Sequence, residues 1–211
     1  MKNFKIFLII FLIIISCNYN NKNNSISKIK DRAGNDIVIP KKIEKIICLS
    51  PSITEILIEI EEEDKIISVD SYSKEILEKN NISTSNMQIF DMMNPDVEKI
   101  ISLKPDIIFV NTFSVFSAKN SLDAIKNLGL SVAVIPNSDT LIAIEEDIYF
   151  LGEVLKLKDA SKKVISKMQI NIEKIKSIGD KITTKKSVYF EIGAMPNLYT
   201  FGCNVYLDDM I

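Results

Sequence analysis

The sequence predicts an α/β fold built around a parallel sheet, and three observations carry that prediction. Short, continuous β-branched and aromatic runs recur at Ile46-Ile47-Cys48-Leu49, at 66–69, at Ile107-Ile108-Phe109-Val110 and at 131–135. Runs that are apolar at every position suit strands covered on both faces, as parallel strands are. Between them lie segments whose apolar residues recur at spacings of three and four, the helical period. Short breaks of Pro, Gly, Asn, Asp and Ser separate the two kinds of segment, as successive βαβ units require.

The stretch from Asn94 to Asn111 organises the rest. Pro95 suits the first turn of a helix, where its missing N–H is not needed, and Asn94 is placed to cap that turn. Val97, Ile100, Ile101 and Leu103 form an apolar side, and Glu98 lies off it. Pro105 stops the helix, because the residue before a proline avoids the α region. Ile107 to Val110 is then a strand. Asn111, Thr112 and Phe113 follow at its carboxyl end, where open α/β sheets place their ligands.

The other elements follow in order. Residues 31–40, DRAGNDIVIP, read as a turn at Gly34-Asn35 leading into a strand at 37–39. After the strand at 46–49, Ser50-Pro51-Ser52 breaks the chain, and Ser52 with Glu55 has capping-box spacing for the next helix. The acidic run at 59–64 reads as a solvated helix end. A strand at 66–69 leads to Tyr72 and a short helix near 74–79. Gln88-Ile89-Phe90 is apolar again. A helix at 117–128 ends at Gly129. Ser138 or Asp139 caps a helix at 141–155. A longer helix runs from Asp159 to about Ile178, with no Gly or Pro before Gly179. Residues 187–192 read as another strand, 193–197 as the loop at its carboxyl end, and 206–211 as the start of a helix.

Composition bounds the function. The chain has 211 residues, is 46% hydrophobic and carries a net charge of −2. A large core is within reach, and the charge does not suggest a nucleic-acid binder. There is no His, which excludes an imidazole base, His-built triads and His metal ligands within these residues. Cys48 lies in an apolar run and reads as a buried free thiol. A bond between Cys48 and Cys203 would join distant parts of the fold.

At the N-terminus, Lys2 and Lys5 precede an apolar run at 6–15, a length that fits a signal-peptide core rather than a membrane span. The run ends Ile14-Ile15-Ser16-Cys17, which resembles a bacterial lipobox. That resemblance implies cleavage after Ser16, diacylation of Cys17, and a lipid anchor in the cell envelope facing the periplasm or exterior. Residues 1–17 are thus read as a lipoprotein signal peptide. Residues 18–30, rich in Asn and Ser, are read as a flexible tether.

Six motifs, in order, resemble the substrate-binding proteins of ABC importers for vitamin B12, iron-siderophores and haem. They are DRAGNDIVIP, IICLSPSITEIL, IISVDSYS, NPDVEKIISLKPDIIFVN, LGLSVAVIP and VYFEIGAMPNLYTFG. The resemblance implies a parallel-sheet N-terminal lobe (31–140), a helical connector (141–182) containing one long helix at 160–178, and a second α/β lobe. That lobe begins at 183–211 and is incomplete at Ile211. Ligand would lie between the lobes. Ser50, Pro51, Ser52, Tyr72, Asn111, Thr112 and Phe113 would line the first lobe, and Met195 and Asn197 would face them from the second. For Ser52 plain capping is the competing reading, and for Phe113 plain packing. Phe90, Met92 and Met93 read either as a soft apolar cradle or as core. Glu98 would be the carboxylate that meets an arginine of the permease.

The resulting expectation is a monomeric, lipid-anchored binding protein that captures a metal chelate and delivers it to an ABC permease. The chelate would be an iron-siderophore, a corrinoid or haem. It is cargo, so no resident cofactor, metal site or catalytic residue is expected. Two other readings compete. One is a truncated surface lipoprotein of the same family with no transport role. The other is an enzyme on a similar sheet, which has no Gly-rich phosphate loop, no GxSxG and no metal-ligand cluster to support it.

Overall fold

The computed structural model describes residues 27–184 and 186–210. Its centre is a five-stranded sheet of β3 (Ile46–Leu49), β4 (Ile66–Asp70), β5 (Gln88–Phe90), β6 (Ile107–Asn111) and β7 (Val132–Ile135). All four pairings are parallel, in the order β5-β4-β3-β6-β7. Every residue of β3 and β7, and the first four of β6, are buried.

Successive side chains point to opposite faces, and the packing follows that period of two. Ile46, Cys48, Ile107, Phe109, Ala133 and Ile135 enter one apolar cluster. There they meet Ile53 and Leu57 of α1 (Pro51–Glu59), Leu77 of α2 (Ser71–Lys79) and Leu151 and Val154 of α6 (Leu141–Val154). Ile47, Leu49, Ile108, Val110, Val132 and Val134 enter the other. Their partners are Ile100 of α3 (Val97–Leu103) and Leu122 and Ile125 of α5 (Lys119–Asn127). Each Val, Leu, Ile or Phe among them contributes about 1.5–3 kcal/mol by leaving water. The helix expected at 117–128 is α5, and a further short α4 (Thr112–Ser117), for which the sequence gives no expectation, precedes it and meets it at Ala118.

Two edges of the reading change. Ser27–Lys30 forms β1, paired antiparallel with β2 (Asp36–Ile39), so the segment read as tether up to Lys30 already carries structure at its end. The polar SKIK run gave no strand signal. The strand expected at 187–192 is absent among the described residues, where only an isolated bridge joins Gly193 to Tyr199. An apolar run becomes a strand only when a neighbour supplies ladder hydrogen bonds.

The hairpin turn seals one sheet edge. Asp31 is buried, and its Oδ1 accepts from the N–H groups of Ala33 and Asn35 at 3.0 and 2.8 Å. Its Oδ2 accepts from Val134 N–H of the edge strand β7 at 2.9 Å. Gly34 completes the turn at φ 85, a left-handed value that favours glycine. Next to it, Arg32 reaches α6, donating from Nε to Asp147 at 2.7 Å and pairing with Glu146 at 2.7 Å.

Helix α6 turns into α7 (Lys158–Gly179) through Lys156, which takes φ 61. The two helices touch closely at Gly152, where a Cβ would lie 2.2 Å from Ser161 Oγ. Val164, Ile165 and Met168 remain half-buried, whereas Ile170, Ile175 and Ile178 are exposed. The chain beyond includes α8 (Tyr206–Asp209).

Candidate functional site

Strand order fixes where the sheet opens. From β3 the chain steps outward through β4 to β5, with α1 and α2 on one face. It then crosses to β6 and steps outward the other way to β7, with α5 on the opposite face. The helices leaving β3 and β6 therefore diverge, although the strands are neighbours in register, Leu49 beside Val110. A crevice forms above their carboxyl ends, the usual ligand position in open α/β sheets.

That crevice brings together residues distant in sequence. Ser50, Pro51 and Ser52 leave β3 on one side, and Asn111, Thr112 and Phe113 end or leave β6 on the other. Asp70 ends β4 one strand away, and Tyr72 stands in the first turn of α2. The residues divide by burial. Ser50 is fully buried, and its carbonyl accepts from Thr54 N–H at 3.0 Å and Thr54 Oγ1 at 3.1 Å. Asn111 spends its side-chain oxygen on Ser114 N–H at 2.8 Å. Ser52 and Thr112 face solvent, as do Tyr72 at 62% and Phe113 at 49% exposure. Phe90 belongs to the core, Met92 packs half-buried against it, and Met93 is exposed.

The expected caps shift by one or two residues. Ser50, not Ser52, precedes α1, with Pro51 at the first helical position and no side-chain cap bond. Asp96, not Asn94, caps α3 by accepting from Lys99 N–H at 3.1 Å, and Pro95 lies before the cap. Thr140, rather than Ser138 or Asp139, caps α6. The Lys99 N–H also holds the Asp96 carboxyl below its usual pKa range. Glu98 is exposed in the first turn of α3, with no ion-pair partner among the described residues. Because helices of a parallel sheet run back against the strands, this turn lies on the same edge as the crevice.

A cleft of about 710 Å³ opens beside Ser52 and runs between α1, α6 and α7. Its size falls in the range of small-molecule sites, roughly 300–1,000 Å³. Asn137 and Ser138 after β7, Asn171 of α7 and Tyr206 of α8 line it, above a floor that includes Ile53, Ile135 and Ile148. Of the residues expected to bind ligand, Ser52 alone lines this cleft among the described residues, and Met195 and Asn197 do not. Both are exposed in a loop closed by the Gly193–Tyr199 bridge. The rule that singled out Asn111 and Thr112, polar residues just past a strand, would also have found Asn137 and Ser138. Ser138 donates to buried Asp147 at 2.5 Å, which ties the cleft wall to Arg32. Cys17 lies outside the described residues.

Comparisons with known proteins agree with this architecture. A model of the periplasmic binding protein family matches residues 46–211. The uncharacterized ABC transporter substrate-binding lipoprotein YvrC of Bacillus subtilis is 27% identical over 188 residues, covering 87% of this chain and 57% of the relative. The iron-uptake system-binding protein of Bacillus subtilis is 25% identical over 122 residues, covering 57% of this chain and 36% of the relative. Among solved structures, a possible iron-binding (periplasmic solute-binding) protein of Staphylococcus epidermidis superposes with a TM-score of 0.69 at 26% identity. The match covers 81% of this chain and 64% of that one. The chain thus spans less than two thirds of the length of these relatives. The family match covers the whole parallel sheet, the long helix after it and the segment beyond, and on that ground the chain belongs to the periplasmic binding protein family.

Proposed function

We propose that this chain is the solute-binding component of an ABC importer, tethered to the envelope through Cys17. It captures a metal chelate at the carboxyl edge of its sheet and delivers it to a permease. The observation that carries the reading is the switch-point crevice. Its loops present Ser52, Thr112, Tyr72 and Phe113 outward, two of them large aromatic surfaces held in solvent. Aromatic side chains on a rigid edge give contact area at little entropic cost when a ligand arrives. Pro51 and Asn111 shape the two loops, and Ser50 fixes the first turn of α1 from inside. Met195 and Asn197 belong to the opposing side of the ligand in this reading, and Glu98 is the docking carboxylate. Binding and release are the whole task, so no catalytic residue and no resident cofactor are assigned.

The test is calorimetric titration with a ferric hydroxamate, cyanocobalamin and haemin. At least one binds with a micromolar or tighter constant, and Phe113→Ala weakens it by about tenfold without changing the melting temperature. If none of the three binds, and native mass spectrometry of protein from its own membranes shows no chelate-sized adduct, the reading is wrong.

A further inference from the structure

The crevice edge also carries a charge, and that charge narrows the ligand. Asp70 ends β4, Asp91 follows β5, Asp96 and Glu98 open α3, and Asp139 follows β7. Asp70 is buried and accepts from Tyr72 N–H at 2.8 Å, Ser73 N–H at 3.0 Å and Ser73 Oγ at 2.5 Å. It therefore occupies the positive end of α2, as Asp96 occupies that of α3, ends that would otherwise attract an anion. Of the lysines near this edge, Lys74 pairs with Glu78 at 2.7 Å, Lys99 with Asp96 at 3.3 Å and cleft-lining Lys167 with Glu59 at 3.0 Å, which leaves Lys119, beyond the apolar lip, outside any described ion pair.

Beside these carboxylates the surface is apolar. Past β6 the chain reads TFSVFSA before Lys119, and Phe116 is 88% exposed. Tyr72, Met93 and Phe113 add to it. Five strands at about 4.8 Å spacing make an edge roughly 19 Å across. A chelate seated at its centre lies within about one Debye length, ~8–10 Å, of much of that negative charge.

We infer that the site takes a metal chelate that is uncharged or cationic overall and lays an apolar face on this edge, and that it rejects anionic chelates. The inference rests on the chelate-binding reading above. Neutral or monocationic ferric tris-hydroxamates and corrinoids share the required chemistry.

The experiment titrates ligand-free protein, purified as the full mature chain from its own envelope. The probes are a neutral ferric tris-hydroxamate, cyanocobalamin and a strongly anionic ferric tris-catecholate. The hydroxamate or the corrinoid binds at least about tenfold more tightly than the catecholate. Its affinity changes by less than about twofold when ionic strength is raised to roughly 0.5 M. Whichever of the two binds more tightly identifies the source. Thr112→Arg, checked for native helicity, narrows the gap to the catecholate by about tenfold. A catecholate that binds as tightly as the others overturns the charge inference and leaves chelate binding standing. Failure of all three probes to bind overturns both.

Discussion

Gly152→Ala tests whether α6 and α7 are locked together as described. The added methyl would lie 2.2 Å from Ser161 Oγ, 2.5 Å from Ser161 Cβ and 3.2 Å from the Leu157 carbonyl oxygen. Ser161 is fully buried on α7, and its hydroxyl donates to the Lys158 carbonyl at 3.0 Å, so it has little freedom to retreat. In an isolated helix Gly→Ala stabilises by about 1 kcal/mol. Overpacking a well-filled contact costs about 1–3 kcal/mol, and two contacts under 3 Å put this site at the upper end. The net expectation is a loss of about 1–2 kcal/mol. That corresponds to a melting temperature lower by roughly 2–8 °C for a chain of this size. The assay is urea and thermal unfolding followed by far-UV circular dichroism, since the chain has no Trp. Ser161→Gly in the same chain removes both clashing atoms, so the double variant regains at least about 1 kcal/mol as a coupling energy. A single Gly152→Ala variant as stable as the parent, or more so, would refute the close contact and the helix angle built on it.

Three further outcomes are expected. Asp31→Ala removes the acceptor for Val134 N–H and two turn N–H groups and lowers stability by about 2–4 kcal/mol, whereas Asp31→Asn, keeping one oxygen, loses less. An unchanged urea midpoint for the alanine variant would show that the hairpin does not seal β7. Burial pushes the Cys48 thiol up to about 12 from its usual 9.0, so the folded chain keeps a proton that the unfolded chain loses. Its contribution is complete below pH 9 and falls by about 1.4 kcal/mol per unit from there towards 12, a slope that Cys48→Ala should abolish in denaturation at pH 8 and pH 10. Glu98→Ala leaves chelate affinity and melting temperature unchanged but reduces ligand transfer in permease vesicles several-fold, and equal transfer rates would remove Glu98 from the docking surface.

What could be read in advance follows from the range of the forces involved. β3, β6 and β7 announce themselves because burial on both faces demands an apolar residue at every position. The crevice follows from them, since polar residues placed just past such strands fall on one edge. The caps of α1, α3 and α6 lie a residue or two from where the sequence suggests, because neighbouring Ser, Asp, Asn and Thr compete and only backbone geometry decides. Asp31 and Arg32 looked like ordinary turn residues. Their partners, Val134 and Asp147, lie far along the chain, and no local pattern points to them. The run at 187–192 shows the converse: strand-like composition is a local property, whereas a ladder is not.

The divergence of the chain at β3 and β6 has a mechanical consequence. On the proposed function, a ligand gripped by the loops after both strands is a removable cross-link, added to the β3–β6 pairing and the Ser114–Leu49 hydrogen bond that already join them. Anything that binds the native state alone adds to its unfolding free energy, by about 2.7 kcal/mol at a hundredfold excess over the dissociation constant. If the proposed function holds, the ligand-bound chain is therefore harder to unfold and to proteolyse than the empty one. Survival in a protease challenge would then report occupancy on that reading.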